Sequence, residues 1–309
     1  DKYMPWKGME EYNIVNGTVG VKQGEQGFSR ANDTVVLIPE FYYKVVDDTA
    51  NKKRYYYVSN MKISGFEKHP GSGRYVGRYN TASGYVSKTG LVPLEHVTRP
   101  RIRTNAANKG AGWYLYDYAC YCAVGLLYLV EYANFNAQSK IGKGYFYNVI
   151  DAFASATGDT DAMTYHTGRV DGRDGATSIQ YRHIENLYGD HYEFVDGINL
   201  NGSAVYVCTD PTKYADDTAN GYTNIGTRPT SAGYIKTFGY SKDAPWAFCP
   251  SAVGESGTTY TGNYCTYSSG WTVFSCSGNR YPGMFYFGGN SASSWSENWI
   301  ASRLMYVPQ

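Results

Sequence analysis

Twelve apolar residues follow one another without a break from Ala119 to Val130, and any fold this chain adopts must bury them. The run is too short for the ~20 residues that cross a bilayer. Leu115, Ala119, Cys122, Leu126 and Leu129 recur at steps of three and four, and Asp117 stands near the N-terminal end. This spacing predicts a helix over Trp113 to Asn136. Its flanks are apolar nearly all round, so the helix is expected inside the protein, against a sheet.

The remaining segments predict mostly β structure. Val35 to Val46 is rich in β formers, Asp47 to Lys53 is polar and Arg54 to Val58 is again β-forming, which reads as a hairpin with Pro39 marking an edge or a bulge. Gly65 to Gly90 is expected to form ordered loops. A second, weaker helix is expected over Phe146 to Ala156, ended by Gly158. Val195 to Val207 and Trp246 to Val307 break into short β-like pieces. No repeat and no Pro- or Ser-rich linker divides the 309 residues. The expectation is one α+β domain, with residues 1–34 as N-terminal strands or connector, a long buried helix and an irregular β-rich C-terminal half.

The charge balance narrows the function. Lys and Arg number 28 against 27 Asp and Glu, a net charge of +1, which speaks against a protein that grips nucleic acid through a basic face. Aromatic residues reach 17%, ample for a packed core, and Tyr alone occurs 33 times. No apolar N-terminal segment follows a positive cluster, so no signal peptide is expected, and no membrane insertion. The six cysteines (Cys120, Cys122, Cys208, Cys249, Cys265 and Cys276) show no zinc spacing. Buried free thiols are expected, with a bridge among Cys249, Cys265 and Cys276 left open.

Near residue 243 the chemistry of the chain changes. Of the residues from Ala244 to Gln309, only Glu255, Arg280, Glu297 and Arg303 are charged. Between Thr258 and Ser302, Tyr, Trp, Ser, Gly and Asn fill 27 of 45 positions. That mixture is the physics of recognition loops: Tyr and Trp anchor, Ser and Asn adapt their hydrogen bonds, and Gly permits tight turns. An ordinary sheet with polar loops is the plainer alternative. A flexible linker is not, since linkers do not carry Trp271, Phe285, Phe287, Trp295 and Trp299.

Several strings carry a resemblance. Glu185-Asn186-Leu187-Tyr188-Gly189-Asp190-His191-Tyr192-Glu193-Phe194-Val195-Asp196-Gly197 resembles the core strand of the formylglycine-generating-enzyme type of C-type lectin fold. Ile38 to Val45 and Leu129 to Gln138 are similar to segments of phage tail and receptor-binding proteins with that fold. Ile300-Ala301-Ser302-Arg303-Leu304 resembles the ending of the variable region in proteins diversified by retroelements, as do Ser269-Gly270-Trp271 and Gly283 to Phe287. Asp190-His191 and Ala301-Ser302 depart from the usual pattern. The resemblance implies a C-type lectin-like scaffold whose C-terminal face, residues 258–305, is varied and binds a ligand. By position, the residues implied to contact it are Thr272, Phe274, Ser275, Asn279, Arg280, Tyr281, Met284, Tyr286, Gly288, Gly289, Asn290, Trp295, Glu297, Asn298 and Trp299. Phe285, Phe287, Ile300 and Leu304 are expected to face inward, and Arg303 to be structural.

Signals for catalysis are missing from the sequence. His69, His96, His166, His183 and His191 are scattered without metal-pair spacing, and neither a nucleophile elbow nor a phosphate loop occurs. Asp159, Asp161, Asp171, Asp174 and Asp216-Asp217 sit in Gly-rich turns, where turn chemistry explains them more simply than calcium. The calcium triplets of sugar-binding C-type lectins are missing. The resemblance implies a phage-tail receptor-binding protein in a virion, and the missing signals add the expectation of no enzymatic activity, metal or cofactor. It would bind a bacterial surface protein or glycan, with a homotrimer implied by tail proteins in general. A formylglycine-generating-type oxidase with a copper-bound cysteine pair and a cellular surface adhesin are the alternatives.

Overall fold

The computed structural model describes residues 2–308 and shows an α+β architecture. Two α-helices occur among the described residues: α1 (Arg99–Lys109) and α2 (Tyr118–Tyr132). The apolar run is the heart of α2, and every residue from Tyr118 to Leu129 is buried. The helix contacts the strands Thr34–Ile38, Lys53–Ser59 and Tyr192–Asn201, which belong to three different sheets. Being covered on all sides, it has no use for a polar face. The Asp117 carboxylate caps it by accepting from the Cys120 N–H at 2.8 Å. Gly125 lets it approach Phe285, whose ring a Cβ would meet at 3.0 Å. The helix starts later than expected because Trp113–Leu115 pairs as a strand with Leu304–Tyr306.

One six-stranded antiparallel sheet runs in the order Thr18–Lys22, Glu11–Val15, Thr34–Ile38, Arg74–Gly77, Leu304–Tyr306, Trp113–Leu115. The final strand of the chain is thus inserted between two much earlier ones. Residues 11–22 form a hairpin at the edge of this sheet. The second six-stranded sheet contains Thr223–Thr227, Ala204–Val207, Tyr192–Asn201, Trp271–Ser277 and Gly288–Ser291, with Ile300–Ser302 added parallel to Tyr192, Glu193 and Phe194. The C-terminal segment therefore reaches both large sheets within a few residues.

Three expectations change. The hairpin is present as Tyr42–Asp48 against Lys53–Ser59, but the β run splits at Pro39 and its first half, Thr34–Ile38, joins the other sheet. The loop expected over 65–90 contains the strand Arg74–Gly77, which lies inside a sheet. The helix expected over Phe146–Ala156 is not formed. The backbone N–H groups of Phe146, Tyr147 and Ala154 donate instead to Gly175, Asn279 and the Asp190 carboxylate, at 2.9 Å each. One local turn remains, with the Val149 and Ile150 N–H groups donating to the Phe146 carbonyl, and the Ala154 N–H is taken by Asp190 instead of a continuing helix.

Helix α1 was not apparent in the sequence because it lacks an apolar stripe; only Arg99, Ile102 and Ala106 are buried. Charge holds it in place. Arg103 forks onto Asp196 at 2.6 and 2.9 Å, and Arg99 donates to Asp216 at 2.7 Å. Arg99 also donates to the carbonyls of Val195 and Ile198, at the bulge where the strand Tyr192–Asn201 slips register against Trp271–Ser277. A bulge leaves carbonyls without ladder partners, and the guanidinium satisfies them.

Candidate functional site

A cleft of about 550 Å³ opens where Tyr192–Asn201, Trp271–Ser277, Gly288–Ser291 and Ile300–Ser302 come together. Its inner surface carries Tyr192 and Tyr286, packed edge-to-face with centroids 5.5 Å apart. Trp295 and Trp299 form another edge-to-face pair at 6.5 Å on one side. Trp299 is exposed, and its carbonyl accepts from the Tyr192 N–H at 2.9 Å, extending the parallel pairing to the rim. The indole N–H of Trp295 donates to Glu297 at 3.1 Å, which turns the Glu297 carboxylate to the support of that wall.

Tyr281, also on the lining, stacks flat on Tyr264 at 3.9 Å, and both meet Tyr234 edge-on. Arg280 is exposed and lies 4.8 Å over the Tyr147 ring, a cation–π contact. Tyr147, with Asp151 and Phe153, comes from the segment expected to be helical. Its loop course brings these side chains to the cleft, and the Tyr147 N–H to Asn279 carbonyl bond ties it down.

Beneath the cleft, Phe153 stacks on His191 with centroids 4.4 Å apart. The two ring nitrogens of His191 face Asp190 at 3.0 Å and Glu95 at 2.9 Å. Burial pulls this imidazole toward neutrality, but the two carboxylates together outweigh it and raise its pKa above the ordinary 6.5.

The residues implied by the resemblance divide between surface and interior. Ser275, Asn279, Arg280, Tyr281, Tyr286, Asn290, Trp295, Asn298 and Trp299 line the cleft. The others do not. Phe274 is fully buried against Tyr118, Tyr121 and Phe287, because its position in the strand points to α2. Met284 packs in the same core. Thr272 is buried and donates to the Gly289 carbonyl at 3.2 Å. Gly288 and Gly289 serve close packing, since Cβ atoms there would fall 2.2 Å from Ser275 Oγ and 1.7 Å from Arg228 Nη1. Glu297 supports Trp295 from behind. Phe285, Phe287 and Leu304 face inward as expected, Ile300 is buried but also reaches the cleft lining, and Arg303 is fully buried.

Sequence reasoning missed Tyr147, Asp151, Phe153, Tyr192, Thr266 and Ser291 on the cleft, and Arg228 behind it. Thr266 and Ser291 fall within the low-charge stretch and were findable there; Tyr192 lies in the Glu185–Gly197 string, and Tyr147, Asp151 and Phe153 carry no local mark. Arg228 is 3% exposed and has no carboxylate partner among the described residues; its N–H groups donate to the carbonyls of Gly202, Thr266, Ser268 and Gly289 and to the Thr272 hydroxyl. It clamps the backbone that presents Thr266 and Asn290, whose side chains bond each other at 2.9 Å. All six cysteines are buried free thiols, including Cys249, Cys265 and Cys276. Among the described residues no group of three His, Cys, Asp or Glu side chains is arranged to hold a metal, and no helix is long and apolar enough to cross a membrane. Asp161 and Asp216 instead serve arginines, Arg78 at 3.1 Å and Arg103 at 2.6 Å. Among known proteins, no family model and no curated sequence matches the chain.

Proposed function

We propose that this protein is a ligand-capture protein of the phage-tail receptor-binding type, built on a C-type lectin-like scaffold, and that the cleft between Trp299 and Tyr281 holds a bacterial surface molecule. The observation that carries the reading is the separation of roles in the low-charge C-terminal stretch. Phe274, Phe285 and Phe287 anchor it in the core, while Arg280, Asn290, Asn298 and Trp299 remain exposed around one concavity. Anchored backbone with exposed aromatic and amide side chains is what a binding surface needs, because little ordering entropy is left to lose on association. In this reading residues 258–305 supply the variable face, and no bond is made or broken in the ligand. Copies held together on a tail, as a trimer, would convert weak single sites into firm attachment.

The test is adhesion of the purified chain to bacterial cells, comparing wild type with Trp299→Ala and Tyr281→Ala. Both side chains are partly exposed, so folding should survive, and cell attachment should fall about tenfold or more, as for the loss of an aromatic hot spot. Undiminished attachment by both variants would remove the cleft from consideration.

A further inference from the structure

We infer that the cleft recognises a neutral oligosaccharide, with sugar rings stacked on Trp299 and Tyr281 and hydroxyl groups bonded to Ser275, Asn279 and Ser291. This rests on the reading of the cleft as the binding site and adds the chemical class of its ligand.

The first observation is a set of hydrogen-bonding groups left open to the cleft. Ser275, Asn279 and Ser291 are each only 4% exposed and line the cleft. Among the described residues their side chains have no hydrogen-bond partner in the protein, and none of their polar atoms is sealed away from the surface. Polar groups at such depth are normally paired. A serine hydroxyl and an asparagine amide each both donate and accept, so the groups that match them best do likewise. Sugar hydroxyls have that character.

The second observation is charge. Among the lining residues Arg280 and Asp151 are the only ionised side chains, one of each sign, and Arg280 already rests on Tyr147. An anion meets Asp151 and a cation meets Arg280, so neither gains a net field, whereas a neutral ligand incurs no such penalty. The third is shape. Trp299 and Tyr147 present 37% and 38% of their surface, and Ile300 is the one aliphatic lining side chain among the described residues. Flat aromatic faces suit the apolar C–H faces of sugar rings, while an apolar peptide anchor calls for an aliphatic pocket. The volume of about 550 Å³ admits more than a single small molecule fragment.

The experiment uses the full chain against immobilised neutral oligosaccharides of glucose, galactose, mannose and N-acetylglucosamine, with a panel of peptides in parallel. Wild type, Asn279→Ala and Trp299→Ala are compared, and thermal unfolding verifies that each is folded. Retention of at least one oligosaccharide, weakened about tenfold or more by each substitution, is the expected result. Peptides retained without sugars, and lost in both variants, would overturn the sugar class while leaving the cleft as the binding site. Retention that neither substitution changes, or no retention of any probe, would overturn both.

Discussion

Arg303 donates to Glu193 from Nη2 at 2.8 Å and from Nε at 3.2 Å, with both side chains closed off from solvent. The same guanidinium donates to the carbonyls of Gly77, Arg78 and Glu185, so one side chain from the end of the chain binds both large sheets together. Glu193 adjoins Tyr192 of the cleft. Arg303→Ala leaves a carboxylate buried without its partner and is expected to destabilise the protein by about 3–5 kcal/mol in urea unfolding. Adding Glu193→Leu should recover part of that loss, because no lone charge then remains inside.

His191 gives the cleft a pH dependence. Its neighbours are Asp190, Glu95 and, two residues on, Glu193, which already pairs with Arg303. Its folded pKa is raised, so the stabilisation it contributes is complete below the unfolded value of about 6.5 and disappears as pH rises through the folded value. Phe153 rests on this ring, and the Ala154 N–H donates to Asp190. Tryptophan emission from the cleft should therefore show a reversible transition with its midpoint above 6.5, absent in His191→Gln. A flat profile in wild type would show that the ring does not hold the wall.

Gly289 and Gly270 separate close packing from backbone strain. A Cβ at Gly289 would lie 1.7 Å from Arg228 Nη1, whereas at Gly270 nothing lies within 4 Å and only the positive φ of 77° resists substitution. Gly289→Ala should cost about 1–3 kcal/mol and displace Arg228 from the Thr266 carbonyl. Gly270→Ala should cost about 1–2 kcal/mol and leave ligand retention unchanged. Chemical denaturation alongside retention on the oligosaccharide panel distinguishes the two.

Glu11 makes the molecule acid-sensitive. Burial opposes its charge, yet bonds from Arg30 and His183 and the nearby Arg78 guanidinium outweigh this and hold its pKa at about 2, against 4.5 unfolded. A lowered carboxyl pKa contributes stability that is present above 4.5 and is lost as pH falls toward 2, on the order of 3 kcal/mol. Urea midpoints measured from pH 6 downward should fall across this window, and Glu11→Gln should show a smaller fall, since Asp216 and other lowered carboxyl groups still contribute.

How far the sequence could be read depends on the kind of force at each place. The apolar run of α2 was legible because burial on every side needs apolar residues in every direction. The hairpin Tyr42–Asp48/Lys53–Ser59 was legible from its two β-forming halves around a polar turn; Phe285 and Phe287 are inward as expected, but not by alternation, since Met284 and Tyr286 beside them are buried as well. Helix α1 was not legible, since Arg99 and Arg103 hold it through carboxylates far along the chain. Phe274 was placed on the wrong side because both faces of its strand are covered, Phe274 packing in the core around α2 and Val273 in a second core, so burial there does not follow from one exposed face. The segment 146–156 was misjudged because its backbone partners, Gly175 and Asn279, are not its neighbours in sequence.

By itself the sequence determined that a helix must be buried, that β structure surrounds it, and that an aromatic, nearly uncharged C-terminal stretch differs from the rest. These follow from local composition and period, which act over a few residues. Only the tertiary structure decided that Tyr147 and Phe153 line one cleft with Trp299, that Arg228 holds the backbone of Thr266 and Gly289 beside it, and that Phe274 belongs to the core. Those arrangements rest on hydrogen bonds, ring contacts and ion pairs between residues scores of positions apart, and such pairings exist only once the chain has closed on itself.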